Sequence, residues 1–220
     1  MRVEDILESL QDRLMNGEFA ARTRMRPEDF AAGYGVSPST IRDLLYRLSS
    51  LGLLDYFEQR GFRVPENSAE RRHDLTHFRI LLESEGTALS IRNGGLDWEA
   101  QLSAAHHRLS HIEARVRSVP ITDDVMLLWA KAELAFHQTL IAECNSASLK
   151  RTHKMIYMQF RQQMITSDRE FAFLPENIAQ HQAILDAVLA RDEERARAMI
   201  YSHLSRSLSI RVPEPVAAGI

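Results

Sequence analysis

Apolar residues recur every three or four positions at the start of the chain, and this spacing predicts three helices. The first helix ends at Asn16-Gly17, the second runs from Pro27 to about Gly35, and the third begins at Ser37-Pro38. Two short helices joined by a tight, glycine-containing turn are typical of a helix-turn-helix. The apolar stripe of the third helix is formed by Ile41, Leu44, Leu45, Leu48 and Leu51.

A strand–turn–strand pattern follows the third helix. The segments Leu53–Phe57 and Phe62–Val64 have strand character, and the turn Glu58-Gln59-Arg60-Gly61 between them contains a glycine. This pattern predicts a small β-hairpin, or wing. Residues 1–64 are therefore expected to form a winged helix-turn-helix domain.

The rest of the chain has a helical pattern. Residues 65–70 are polar and proline-led, which favours a linker. Residues 71–212 predict six helices joined by short loops, hence an antiparallel six-helix bundle, and residues 213–220 are assigned to a tail. The predicted fold class is mainly α, with a winged helix-turn-helix in front of the bundle.

Composition limits the class of protein without naming a partner. The 220 residues are 45% hydrophobic, carry a net charge of −3 and include one cysteine, Cys144, which excludes an intrachain disulfide. The first residues are too charged for a signal peptide, and no apolar run reaches the ~20 residues of a membrane span. We expect a soluble, cytoplasmic protein without a membrane partner.

The predicted third helix has an outward face suited to nucleic acid. In a helix-turn-helix, the first residues of the second motif helix enter the major groove. Ser39, Thr40 and Arg42 have the position and the hydrogen-bonding groups to contact bases or phosphates, although a solvated helix face capped by Ser37 is the plainer interpretation. The glycine-tipped wing favours DNA binding. A positive face must come from the arrangement of arginines, and the candidates are Arg22, Arg24, Arg26, Arg60 and Arg63.

Polar residues interrupt the apolar stripes of three bundle helices. Glu133 and His137 are four residues apart on one helix face, so both side chains can reach one point. His181 and His203 lie 11 residues before and 11 after Asp192. If the last two helices form a hairpin at Asp192, these imidazoles face each other. Three histidines and a carboxylate would suit Zn²⁺, Ni²⁺, Mn²⁺ or Fe²⁺.

Spacing alone leaves this metal site a minority interpretation. A histidine on an apolar face is more often a hydrogen-bonded core residue than a ligand, and the chain has nine histidines to distribute. The cluster His106, His107 and His111 also has metal-like spacing, but its members point to different faces, and we assign it to a solvated surface.

The N-terminal motifs resemble the GntR family of bacterial winged-helix regulators. The matching segments are Gly35-Val36-Ser37, Thr40-Ile41-Arg42, Leu51-Gly52-Leu53 and Arg60-Gly61-Phe62-Arg63-Val64. The resemblance implies that Arg42 contacts DNA and that Gly61 lets the wing approach the minor groove. Pro38 and Glu28 stand where the family usually has basic residues, which should weaken binding or shift the operator sequence. The candidate DNA contacts are Ser37, Ser39, Thr40, Arg42, Arg60 and Gly61.

The helical part is similar to the FCD ligand-binding domain of FadR-type regulators. The matches are Arg79 with Glu83, Phe136-His137 ahead of Asn145, His181 and His203. The resemblance implies a metal held by Glu133, His137, His181 and His203, with Glu133 in place of the family's aspartate. It also implies an organic-acid effector contacted by Arg79, although Arg79 and Glu83 could instead form a surface pair.

These observations together predict a metabolite-responsive regulator that binds palindromic operator DNA as a homodimer. Its cofactor would be a divalent transition metal and its effector a small organic acid. A helical metalloenzyme that uses the same three histidines and Glu133 is the main alternative, but it leaves the winged helix without a role. A metal-free ligand sensor is a third possibility.

Overall fold

The N-terminal part of the chain folds into the predicted three helices and a wing. The structure, a computed structural model, describes residues 2–116, 122–168 and 174–208. The elements of the N-terminal domain are α1 (Val3–Met15), β1 (Arg24–Met25), α2 (Pro27–Tyr34), α3 (Pro38–Ser50), β2 (Asp55–Phe57) and β3 (Gly61–Arg63).

Local sequence explains the turn between α2 and α3. Gly35 adopts a left-handed conformation (φ 67°) that ends α2, a conformation that glycine reaches without steric cost. Ser37 then caps α3, because its hydroxyl accepts a hydrogen bond from the Thr40 amide at 3.1 Å. Pro38 occupies the first helical position, where no amide donor is needed. The turn fixes α3 as the second helix of the helix-turn-helix.

The wing contains one more strand than the sequence predicted. The antiparallel sheet has the order β1-β3-β2, so β3 lies between its hairpin partner and the added strand. Arg24 pairs with Arg63 and Met25 with Phe62. With only two residues, β1 is too short to show the alternation by which a strand is recognised in a sequence. It forms because β3 offers it an open edge.

The C-terminal part is a bundle of helices. Its described elements are α4 (Ala69–Asn93), α5 (Leu96–Val116), α6 (Asp123–Leu140), α7 (Ala147–Asp168), α8 (Leu174–Leu189) and α9 (Glu193–Ser205). Ser68 caps α4, so Ala69 and Glu70 are the first residues of the helix. The sequence analysis had assigned these two residues to the linker. Helix α4 packs against α7 and α9, α5 against α6, and α8 against α9. The predicted tail, residues 213–220, lies outside the described residues.

A row of glutamines on α7 joins the bundle to the winged helix. The amide nitrogens of Gln159, Gln162 and Gln163 donate to the main-chain carbonyls of Leu51, Leu53 and Glu66, at 3.0, 3.1 and 3.0 Å. Met158, on the same helix, packs into the apolar core of the N-terminal domain. Helix α7 therefore contacts both halves of the chain. Among the described helices, none is both long enough and apolar enough to cross a membrane.

Two glycine substitutions are expected to change stability in opposite directions. Gly52 has φ +72°, and a Cβ there would lie 2.5 Å from Nε2 of Gln159. We expect Gly52→Ala to lower the free energy of unfolding by about 1–2 kcal/mol, through backbone strain and displacement of Gln159. Gly33, inside α2, has open space around it, so Gly33→Ala should raise stability by about 0.5–1 kcal/mol. Urea unfolding of both variants checks the signs.

Candidate metal centre and its surroundings

The α8–α9 hairpin brings two buried histidines together. Asp192 lies in the turn, and its side chain caps α9 by accepting from the Arg195 amide at 3.0 Å. The imidazole rings of His181 on α8 and His203 on α9 lie with their centroids 4.5 Å apart. The two rings lie next to each other across the hairpin because both residues are the same number of positions from Asp192.

A third histidine, from α6, completes the group. The ring of His137 lies 5.6 Å from that of His181 and 5.4 Å from that of His203, stacked on the latter. One potential ligand nitrogen from each of the three lies within 4.8 Å of the other two, and all three side chains are buried. Burial lowers the pKa of His137 and of His203, in the latter well below its ordinary value, so both imidazoles stay neutral. Neutral imidazole is the form that binds a metal.

Glu133 lies beside this group rather than within it. Its Oε1 is 3.8 Å from Nε2 of His137 and 3.9 Å from Nη2 of Arg79. Its Oε2 accepts a hydrogen bond from the Tyr157 hydroxyl at 2.6 Å. The structure thus places the carboxylate next to the histidines and orients it through a buried tyrosine.

Glu83 on α4 is the centre of a buried hydrogen-bond network. Its carboxylate accepts from Nε of Arg79 at 2.5 Å, Nδ1 of His137 at 2.7 Å and Nε2 of His153 at 2.9 Å. Burial raises the pKa of Glu83, but Arg79 and His137 lower it by more and hold it well below its ordinary value. The Arg79–Glu83 pair is therefore interior, and a surface pair is excluded because Arg79 is 1% exposed.

A cavity of about 250 Å³ opens next to the histidines. His203, Glu133 and Arg79 line one part of it, and Nη2 of Arg79 has no hydrogen-bond partner among the described residues. Arg161 lines it with its guanidinium 4.8 Å from the centre of the Trp129 ring. The cavity combines three arginines and two glutamates with an apolar wall, and its further lining includes Trp129, Phe160, Met164, Glu176 and Arg206.

The sequence predicted that His106, His107 and His111 on α5 form a solvated surface. The structure shows that this is wrong for one of the three. His106 is buried, and its ring lies 5.7 Å from that of Phe136. Only His107 and His111 are exposed. The helix turns its apolar stripe inward, and His106 falls on the side of Leu102 and Leu109, which explains the error.

Two of the candidate DNA-binding residues, Arg42 and Gly61, share a groove on the winged helix. Arg24, Arg26, Arg42 and Gly61 line a common groove with Tyr46, and all three arginines are exposed. The hydroxyls of Ser37 and Thr40 bond to each other at 2.9 Å, while Ser39 is exposed. Arg60 lies in the exposed wing turn, outside that groove. The groove therefore brings three exposed arginines together with one carboxylate, Glu28.

Two family models match the chain. The model described as bacterial regulatory proteins, gntR family, matches residues 2–64, and the FCD domain model matches residues 74–206. The first covers the winged helix, and the second covers the part that contains the three histidines.

Two relatives of similar length are named as HTH-type transcriptional regulators. The HTH-type transcriptional regulator BphR of Paraburkholderia xenovorans is 32% identical, over 94% of this chain and 84% of its own. The HTH-type transcriptional repressor GlaR of Escherichia coli is 28% identical over 91% of each chain. Among solved structures, E. coli McbR/YncC superposes with a TM-score of 0.78 at 19% identity, covering 94% of each chain. A GntR transcriptional regulator from Rhodococcus sp. RHA1 gives 0.75 at 20% identity, covering 96% of this chain and 99% of that one.

Proposed function

The chain belongs to the GntR family of transcription regulators and carries an FCD domain, and from this premise we propose that the FCD domain is a metal-dependent sensor of a small organic acid. The regulator binds operator DNA through its winged helix. The observation that carries the sensor proposal is the convergence of three buried histidines beside a cavity lined with arginine.

The residues present fit a divalent transition metal. His137 Nε2 and both ring nitrogens of His181 lack hydrogen-bond partners among the described residues, a costly state for buried polar atoms unless an ion is bound. His137, His181 and His203 would be the nitrogen ligands, and Glu133 the carboxylate ligand. This donor set suits Zn²⁺, Ni²⁺, Mn²⁺ or Fe²⁺, and the metal would supply a Lewis-acid position for an anion.

The cavity supports a carboxylate as the effector. Three neutral imidazoles and one carboxylate leave a divalent ion with a net charge near +1, which attracts an anion with oxygen donors. Arg79, Arg161 and Arg206 line this cavity together with two carboxylates, Glu133 and Glu176, and Arg206 pairs with Glu176 at 3.0 Å. Trp129 and Phe160 limit the apolar part of the ligand. A volume of about 250 Å³ admits a small molecule only.

Calorimetry of hydroxy-, keto- and dicarboxylic acids on the metal-loaded and the metal-stripped protein tests this proposal. We expect at least one acid to bind the loaded protein more tightly than the stripped protein, and to change the affinity for operator DNA. An acid that binds both forms equally would refute the metal bridge and leave a metal-free sensor. Binding of no acid, together with no metal in the protein as purified, would refute both parts.

Helix α7 offers a path from the cavity to the winged helix. Tyr157 and Arg161 lie at the Glu133 side of the cavity, whereas the neighbouring Gln159 and Gln162 hold the main chain of the N-terminal domain. A ligand that shifts α7 would therefore shift the recognition helix as well. We infer that effector binding changes the spacing of the two recognition helices in a homodimer.

A homodimer is expected to bind a short palindrome, because two-fold protein symmetry imposes two-fold symmetry on the operator. Arg42→Ala should weaken operator binding by about 1–3 kcal/mol, since Arg42 is exposed on the recognition helix and borders the arginine groove. Selection from random duplexes followed by titration at fixed salt measures this. Arg108→Ala, exposed on α5, is the control and should bind as the parent does. Equal losses in both variants would contradict a specific contact by Arg42.

A further inference from the structure

We propose that Glu83, Glu113 and Gln180 act as positioning residues that hold His137, His181 and His203 as Nδ1–H tautomers. Each would accept the Nδ1 proton of one histidine, which leaves Nε2 as the atom that each ring offers to the metal. This inference rests on the proposed metal centre, and it assigns a role to Glu113 and Gln180 that the metal site itself does not.

Each histidine has a different side-chain oxygen next to its Nδ1. Oε2 of Glu83 lies 2.7 Å from Nδ1 of His137, and Oε1 of Gln180 lies 3.1 Å from Nδ1 of His203. Oε1 of Glu113 lies 3.5 Å from Nδ1 of His181, which is within ion-pair distance, although Nδ1 of His181 makes no hydrogen bond among the described residues. An ionised carboxylate has no proton to donate, so a hydrogen bond to it requires the proton on the imidazole. The three acceptors come from α4, α8 and α5 respectively, so they surround the group from separate helices.

Glu113 is the member whose position most needs an explanation. Its side chain is fully buried on α5, and its Oε1 also accepts from Nε1 of Trp129 at 3.3 Å. Among the described residues, His181 is the one ion-pair partner recorded for this carboxylate, and its Oε2 has no hydrogen-bond partner. A buried carboxylate is unfavourable unless a positive group compensates it. A metal-bound imidazole would supply that compensation, because the ion would draw electron density from the ring and strengthen its Nδ1–H as a donor.

The tautomer matters for the geometry of the site. The nitrogen that carries the proton cannot bind a metal, and the hydrogen bond at the other nitrogen decides which one that is. Partners that accept from a ligating histidine also fix its ring orientation and raise its basicity. Nδ1 of His137 and Nδ1 of His203 are hydrogen-bonded and Nδ1 of His181 lies next to Glu113, so the three acceptors would preorganise the ligand set before the ion binds.

Nitrogen NMR of the metal-stripped, full-length protein with ¹⁵N-labelled histidine tests the tautomers directly. At about pH 8, where neutral imidazole dominates, we expect Nδ1–H resonances for His137, His181 and His203. In Glu113→Gln the shape of the side chain is kept, but its amide can donate as well as accept, so the signal of His181 should move while that of His137 stays. An Nε2–H form of His181 in the parent protein would overturn the proposal.

Zinc affinity, measured by competition with a chromogenic chelator, is the second readout. We expect Glu113→Gln and Gln180→Ala each to bind zinc about 10–100-fold more weakly than the parent. Gln182→Ala is the matched control on α8, since its amide bonds Asp186 at the surface, and it should bind as the parent does. Unchanged affinity in both test variants, with parent-like circular dichroism, would overturn the proposal. If the parent protein binds no zinc, the proposed metal centre is refuted. The NMR measurement on the metal-stripped protein still tests the proposed tautomers in that case.

Discussion

Glu83→Ala is expected to lower the free energy of unfolding by about 3–5 kcal/mol. The variant removes the carboxylate that compensates Arg79, a cation that is 1% exposed, and it leaves a buried charge without its main partner. It also removes the acceptor for His137 and His153. The loss should exceed the effect of an ordinary surface substitution several-fold, and chemical denaturation monitored by circular dichroism measures it.

Glu85→Ala is the control for this prediction. Glu85 lies two residues further along α4, and its side chain is half exposed where it pairs with Arg197. Exposed pairs contribute about 0–1 kcal/mol, so this variant should stay close to the parent protein. Similar losses in both variants would mean that the Glu83 network adds no special stability.

The pH dependence of the Glu83 contribution has a definite sign. Its pKa lies well below the ordinary value in the folded protein, because Arg79 and His137 outweigh the effect of burial. The stabilisation is therefore complete above the ordinary pKa of glutamate and is lost as the pH falls through the folded-state pKa. The difference in stability between the parent and Glu83→Gln should shrink in that acidic range.

His181→Ala and His203→Ala are each expected to reduce metal affinity at least about 100-fold, more than the loss of a residue that only orients a ligand. Each variant removes one of three nitrogens that lie within 4.8 Å of one another. Elemental analysis of the purified protein and chelator competition measure the loss. Full metal content in the double variant would place the site elsewhere, with the exposed pair His107 and His111 as the next candidates.

Metal affinity should also fall on acidification, because protonated imidazole cannot bind a metal. Burial lowers the pKa of His137 and His203, and protons therefore compete for these rings only below the ordinary histidine value of about 6.5. We expect affinity to be nearly constant above that pH and to decline below it. A decline that begins well above pH 7 would argue against these two ligands.

The winged helix could be predicted from the sequence because its signals are local. Ser37, Pro38 and Gly35 fix the start of α3 and the end of α2 through cap and backbone chemistry that involves only neighbouring residues. Strand β1 could not be predicted in the same way, because its two residues are extended only by pairing with β3 across more than thirty residues of chain. A strand that forms by pairing at a sheet edge need not show an alternation of apolar and polar residues in the sequence.

The site was predictable where helix geometry alone sets a distance. His181 and His203 meet because they are equally far from the Asp192 turn, and Glu133 lies near His137 because they are one helical turn apart. The partners of the histidines come from other helices, which spacing cannot align. One signal for Glu113 was present, since it follows Leu109 by four residues on the apolar stripe of α5.

The glutamines on α7 bond the main chain of the winged helix and of the segment that follows it, rather than their side chains. Gln159, Gln162 and Gln163 each bond a carbonyl oxygen, a group that every amino acid carries. Substitutions at Leu51, Leu53 or Glu66 therefore leave these three hydrogen bonds available as long as the backbone keeps its course. The side chains of the recognition surface can therefore change while these three hydrogen bonds between the bundle and the N-terminal part are retained.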